Sequence, residues 1–240
     1  MKNIFVTGIS KGLGLRLTRA LVEDADNRVI GCSRTMTPEL DELMSAYPGR
    51  LEWHPVDLRH VADLEPRLAG IIGGRSVDAV VNNAAILYKS LLVKADLKAF
   101  QDMLDVNLTA PVIVSKVMIS NFLRNQKKGV MLFYSSICAH EGFSGLSLMG
   151  ASKGAVESLS KSISFEYGRK GIRSNVVCIG ILDAGMSDTV TQAQYSDLIA
   201  RSHLKQSTDI GSVVELSKYL MSDNALSVTG QVFHVNCGIL

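Results

Sequence analysis

No two of the four cysteines in this sequence sit close enough to suggest a shared metal or a stapled loop. Cys32, Cys138, Cys178 and Cys237 form no Cys-x-x-Cys motif, and His54, His60, His140, His203 and His234 are scattered among them. That spacing points to neither a zinc site nor a disulfide framework, and no metal is expected. An excess of one charge is also lacking. With a net charge of +2 and no Lys/Arg-dense arm, bulk nucleic-acid binding is excluded. There is no run of 18 apolar residues and no signal-like apolar core after Met1-Lys2-Asn3. No membrane is therefore expected, and a reducing cytoplasm is the expected compartment.

What is present is a repeated alternation of short apolar runs with helical patterns. Ile4-Phe5-Val6, Arg28-Val29-Ile30-Gly31-Cys32, residues 51–58, Asp78-Ala79-Val80-Val81, Val130-Met131-Leu132-Phe133-Tyr134, Ser174-Asn175-Val176-Val177-Cys178 and residues 230–235 read as strands. Helical spacing is expected over 15–23, 38–47, 62–72, 97–107, 111–123, 150–168 and 211–221. The strands are apolar along their whole length, which calls for burial on both faces. The fold class is α/β: one Rossmann-type domain over residues 1–240, a parallel sheet with helices on both faces. Residues 181–207 are polar and mixed, and are expected to be a mobile cover over the substrate.

Thr7-Gly8-Ile9-Ser10-Lys11-Gly12-Leu13-Gly14 joins the first strand to the first helix. Glycines let the backbone turn tightly and approach a pyrophosphate, and the free N–H groups of the helix start attract it. Gly8, Ser10, Lys11, Gly12, Leu13 and Gly14 are the candidate phosphate contacts. At the end of the second strand an acid would hold a ribose hydroxyl, whereas a cation suits a 2′-phosphate. This chain has Arg34 there and Lys11 in the turn, which favours NADP(H).

Met149 and Lys153 are four apart and share a helix face, and Ser136 ends the strand thirteen residues before Met149. A strand-end hydroxyl is thereby brought beside a helix-borne ammonium. With Thr7-Gly8-x-x-x-Gly12-x-Gly14, Asp57-Leu58, Asn82-Asn83-Ala84-Ala85, Asn107 and the closing Thr229-Gly230-Gln231…His234-Val235-Asn236, the chain resembles the short-chain dehydrogenases/reductases along nearly its whole length. The pattern is most similar to bacterial 3-oxoacyl-(acyl-carrier-protein) reductases. The resemblance implies adenine contacts at Asp57 and Leu58 and cofactor contacts at Asn82, Ala84 and Lys153. It also implies Asn107, Ser136 and Lys153 as members of the catalytic set, and a dimer or tetramer, homo- or hetero-oligomeric. In such reductases basic residues at helix ends dock an acidic carrier protein. Lys127, Lys128, Arg169 and Lys170, with Arg173, are the counterparts, although helix C-termini favour cations in any case.

The departures concern chemistry. Met149 stands where the family has the tyrosine that donates a proton, and a thioether has none to give. Ile179-Gly180 replaces Pro-Gly, Ala184 a threonine, and Ala85 a glycine. His140, Cys138, Ser144, Ser147, Tyr134, Tyr88 and a water held by Asn107 and Lys153 are substitute donors. Two readings follow: an NADP(H)-dependent oxidoreductase acting on a carbonyl or alcohol through an atypical site, or a homologue that is either a non-catalytic partner of an active reductase or an enzyme of the same fold using different chemistry.

Overall fold

The apolar runs become the strands of one parallel sheet in the computed structural model, which describes residues 1–182 and 192–239. The strands are β1 (Lys2–Thr7), β2 (Asn27–Ser33), β3 (Leu51–Pro55), β4 (Ala79–Asn82), β5 (Gly129–Ser136), β6 (Ile172–Ile179) and β7 (Val232–Val235). Their order is β3-β2-β1-β4-β5-β6-β7. Every adjacent pair is parallel, with Val6 beside Gly31 and Val81 and Leu132 beside Val81 and Asn175. The helices are α1 (Gly12–Val22), α2 (Pro38–Ala46), α3 (Leu64–Ile72), α4 (Leu97–Leu104), α5 (Ala110–Arg124), α6 (Ser147–Tyr167), α7 (Gln192–Arg201) and α8 (Ile210–Met221).

Alternate residues of each strand point to opposite faces, and both faces are covered. Phe5, Ile30, Met131, Phe133 and Val176 pack with α3, α5 and α6. Ile4, Val6, Val29, Leu132 and Val177 pack with α1, α2 and α8. Thr37, Asp96 and Asp209 accept backbone N–H bonds and cap α2, α4 and α8. No side chain caps α1. Between α4 and α5 the chain makes a π turn at Asp105–Thr109. The stretch Leu97–Arg124 is apolar enough by composition to cross a membrane, but 56% of its most apolar window is buried inside the protein. Packing against the sheet accounts for that apolarity.

Three local expectations change. The strand expected over 51–58 stops at Pro55, beyond which Asp57 accepts from the Arg59 N–H and begins a turn. Helix α6 starts at Ser147 rather than at Gly150, so Met149 lies within it. The segment expected to be a mobile cover contains α7; residues 183–191, Ala184 among them, lie outside the described residues.

Phe133 is fully buried on the α6 side of β5. Phe133→Ala is expected to lower stability by about 3–5 kcal/mol, through lost transfer energy and the cavity left behind. Urea denaturation followed by circular dichroism measures it.

Candidate active site

The strand order reverses between β1 and β4, since β2 and β3 continue to one side and β5 to β7 to the other. In open parallel sheets this is where a crevice forms beyond the carboxyl ends of the strands. A cavity of about 800 Å³ lies there. Asn83 and Thr7 bind its floor together. The Thr7 hydroxyl accepts from the Asn83 and Ala84 N–H groups at 3.1 and 3.0 Å. The Asn83 amide donates to the Thr7 and Gly8 carbonyls at 2.8 and 3.0 Å.

Helix α1 points its N-terminus at one end of this cavity, lined by Gly8, Ser10, Lys11, Gly12, Leu13 and Gly14. A side chain at Gly14 has no room: its Cβ would lie 2.0 Å from the Gly8 carbonyl oxygen and 2.5 Å from Asn83 Nδ2. Gly8 adopts φ +75°, which L side chains rarely do. The helix start is therefore tucked against the β1 turn with its first N–H groups uncapped by any side chain, the arrangement that receives a phosphate. Lys11 and Arg34 are exposed on the cavity wall. Neither has a carboxylate partner among the described residues. Asp57 and Leu58 line the same end, where the Arg59 guanidinium bonded to Asp57 holds its carboxyl down at about 2. Ala84 lines the wall, whereas Asn82 is buried just below it, and its amide oxygen and nitrogen find no partner among the described residues. Unsatisfied amides of this kind are rare in the absence of a ligand or water. These residues fit a nicotinamide dinucleotide.

Ser136, Met149 and Lys153 line the other end. Ser136 is the last residue of β5, and its hydroxyl accepts only a long bond, 3.4 Å, from the Cys138 N–H. That leaves it able to donate into the cavity. Met149 and Lys153 sit one turn apart on α6, 3% and 6% exposed. The Lys153 ammonium donates to the Tyr134 carbonyl at 2.8 Å, with no acid paired to it among the described residues. Burial disfavours the charge and brings the group down to about 8. Asn107 stands behind this wall, not in it. Its amide accepts from the Ile86 N–H at 2.9 Å and donates to the Ile86 carbonyl at 3.0 Å, with the Met149 sulfur 3.5 Å away. From the π turn it pins the segment after β4, so its side chain is not free to hold the water expected of it.

Most of the candidate proton donors are removed by placement. The His140 Nε2 bonds the Glu157 carboxylate at 2.9 Å and does not face the cavity. Tyr134 bonds Ser217 on the α8 side, and burial raises its phenol. Tyr88, whose hydroxyl accepts from the Asp96 N–H, and the exposed Ser144 and Ser147 do not line the cavity. Cys138 is on the wall, but burial pushes its thiol up. Lys153 is the acid best placed. Ile179 and Gly180 also line the cavity, so the position that departs from Pro-Gly contributes directly to its wall.

The basic residues assigned to carrier docking lie elsewhere. Lys127, Lys128, Arg169 and Lys170 immediately precede β5 and β6, whereas the cavity is at the far ends of those strands. Eight residues at ~3.3 Å each put them about 26 Å from it. Lys127 is paired with Asp78 at 2.8 Å. Arg173 is buried and donates to the Val228 and Ser222 carbonyls, a structural role rather than a docking one.

Several wall residues lacked any motif to announce them. Thr35, Phe143, Leu146 and Leu198 come from loops and α7, and only the folded topology brings them to the cavity.

A family profile described as "Enoyl-(Acyl carrier protein) reductase" matches residues 8–240. The chain is 32% identical over 163 residues to the 3-oxoacyl-(acyl-carrier-protein) reductase FabG of Buchnera aphidicola subsp. Baizongia pistaciae (strain Bp), covering 68% of this chain and 66% of that protein. It is 31% identical to the L-xylulose reductase of Bos taurus, over 100% of this chain and 96% of that one. The fold is that of a 4-hydroxyisoleucine dehydrogenase complexed with NADH, at TM-score 0.91 and 23% identity, covering 100% of this chain and 98% of the other.

Gly14→Ala forces its new methyl onto the Gly8 carbonyl. Affinity for nicotinamide dinucleotides is expected to fall at least about tenfold, as a shift of 1.4 kcal/mol or more in titration calorimetry, with the helical circular dichroism signal retained.

Proposed function

We propose, because this chain belongs to the short-chain dehydrogenase/reductase family of nicotinamide-dependent oxidoreductases, that it is an NADP(H)-dependent reductase of carbonyl groups. The substrate class is a 3-oxoacyl thioester on a carrier, as the name of the Buchnera relative suggests. One observation carries the reading: Lys153 is a buried ammonium on the cavity wall with no acid partner among the described residues, on the same helix face as Met149, which the resemblance aligns with the family's proton-donating tyrosine.

When bound, the dinucleotide supplies the hydride. Gly12, Leu13 and Gly14 would offer N–H groups to its pyrophosphate, with Lys11 and Arg34 on the additional phosphate. Ser136 would donate to the carbonyl oxygen and stabilise the negative charge that develops there. Lys153 would orient the nicotinamide ribose and release a proton to the alkoxide through a water in the space that a phenol would fill. Met149 excludes bulk solvent from one side and takes no part in proton transfer. An acid near 8 is mostly protonated at neutral pH and still gives up its proton readily. The exposed apolar residues Leu91, Leu92, Val93 and Leu97, together with Phe165 on α6, suit burial between subunits of a dimer or tetramer. In such an assembly a carrier on Lys128, Arg169 and Lys170 would serve a neighbouring copy's cavity.

Turnover of NADPH with an acetoacetyl thioester is expected from the wild type, slow for the family. Met149→Tyr is expected to raise kcat by about 10²–10⁴-fold, the usual worth of a positioned acid. An inert wild type beside an active Met149→Tyr would make the chain a non-catalytic partner subunit instead. Because the Lys153 pKa lies below that of a free lysine, its ammonium is present below about pH 8 and lost above it. The rate of reduction should therefore fall as pH rises through about 8, and a flat profile would remove Lys153 as the acid. Lys11→Ala and Arg34→Ala should each weaken NADPH binding by about 10–100-fold, the loss of a charge-assisted bond, and leave NADH affinity unchanged in the same titration.

A further inference from the structure

We propose that His140, Cys178 and His234 form a site for a divalent transition-metal ion of the zinc class at the edge of the sheet, separate from the cavity described above. A ring nitrogen of each histidine and the Cys178 sulfur lie within 4.8 Å of one another. Three elements converge to place them. Cys178 and His234 are direct cross-strand partners on β6 and β7, so both side chains stand on the α6 face of the sheet. His140 closes the turn that follows Ser136 and approaches from above, its ring edge-on to that of His234 with centroids 4.8 Å apart.

The donor set fits the ion chemically. One thiolate with two imidazoles is the borderline-soft combination that zinc favours, with a fourth position left for water. Tetrahedral bonds of ~2.0–2.3 Å separate ligand atoms by about 3.3–3.8 Å, so the cluster must contract by roughly 1 Å. His140 and His234 are exposed and can turn, while Cys178 is wholly buried beneath them. The exposed edges of His140 and His234 leave the cluster open to solvent.

A second observation points the same way. Glu157 of α6 is a buried carboxylate whose one basic partner among the described residues is His140, at 2.9 Å. It also accepts from Ser135 at 2.6 Å. Metal-ligating histidines characteristically hold such a carboxylate on their other ring nitrogen, which fixes the ring and offsets the charge of the ion. On binding, the Cys178 thiol loses its proton to solvent and the sulfur–metal bond forms, with no change of oxidation state. The ion would tie the turn after Ser136 to β6 and β7.

The test uses the intact purified protein, stripped with a chelator and titrated with Co²⁺. One Co²⁺ per chain is expected, with a thiolate-to-cobalt charge-transfer band and the visible bands of four-coordinate cobalt, displaced by Zn²⁺. Cys178→Ser should abolish the charge-transfer band, and His140→Ala and His234→Ala should each weaken affinity at least tenfold. Absence of the band in wild type, or its persistence in Cys178→Ser, would overturn the proposal. If Cys178→Ser does not fold, the exposed His234→Ala decides: unchanged Co²⁺ affinity would equally overturn it.

Discussion

The hydrogen bonds between Thr7, Gly8, Asn83 and Ala84 tie the ends of β1 and β4 together at the point where the strand order reverses. At the switch point, connections leave β1 and β4 in opposite directions, and no crossover helix covers the gap between the strand ends. The Thr7 hydroxyl and the Asn83 amide join the two ends at four points. They also consume polar groups that would otherwise be buried without partners. The seating of α1 against Gly8, the position of Ala84 and the width of the cavity all follow from that junction. Removing either side chain would leave backbone groups unpaired and the phosphate-binding turn without its base.

At the other end of the cavity, the physical issue is a buried charge. A lysine 6% exposed, with one carbonyl partner and no acid among the described residues, is expensive to keep ionised. In a site containing a phenol, the cation and an incipient phenolate would share that cost. With Met149 in its place the lysine stands alone, and the environment that disfavours its charge is the same one that makes it acidic. Under the proposed function the acid therefore lies one turn along the helix from Met149 and still on the wall.

The motifs made much of this architecture legible. Ser136 at a strand end, Lys153 on a helix face and the glycine turn between β1 and α1 are local features, each confined to a few consecutive residues. The features that the motifs do not reveal are of two kinds. Some have a local cause: Pro55 cannot donate to a ladder, which is reason enough for β3 to end there. The placement of Lys127 and Arg169 is similar. In a parallel sheet, a helix C-terminus and the start of the following strand share an edge, so these residues had to lie opposite the cavity. Other features were non-local. Nothing near His140 reveals that Glu157 will meet it, and nothing around Asn107 reveals that Ile86 will occupy its amide. Helix α7 is polar enough on average to pass for a loop.

The uncapped start of α1 has a consequence for the life of the protein in a cell. Helices α2, α4 and α8 carry their own caps, whereas α1, like α3, α5 and α6, has none, and under the proposed function a bound dinucleotide would supply its counter-charge. A ligand bound only by the folded state stabilises it by mass action, by about 2.7 kcal/mol at a hundredfold excess over Kd. Differences of one to two kcal/mol are enough to change steady-state abundance several-fold through proteolysis of the unfolded fraction. The copy number of this protein should thus follow the supply of dinucleotide, so that a starved cell holds less of it before any change in its synthesis.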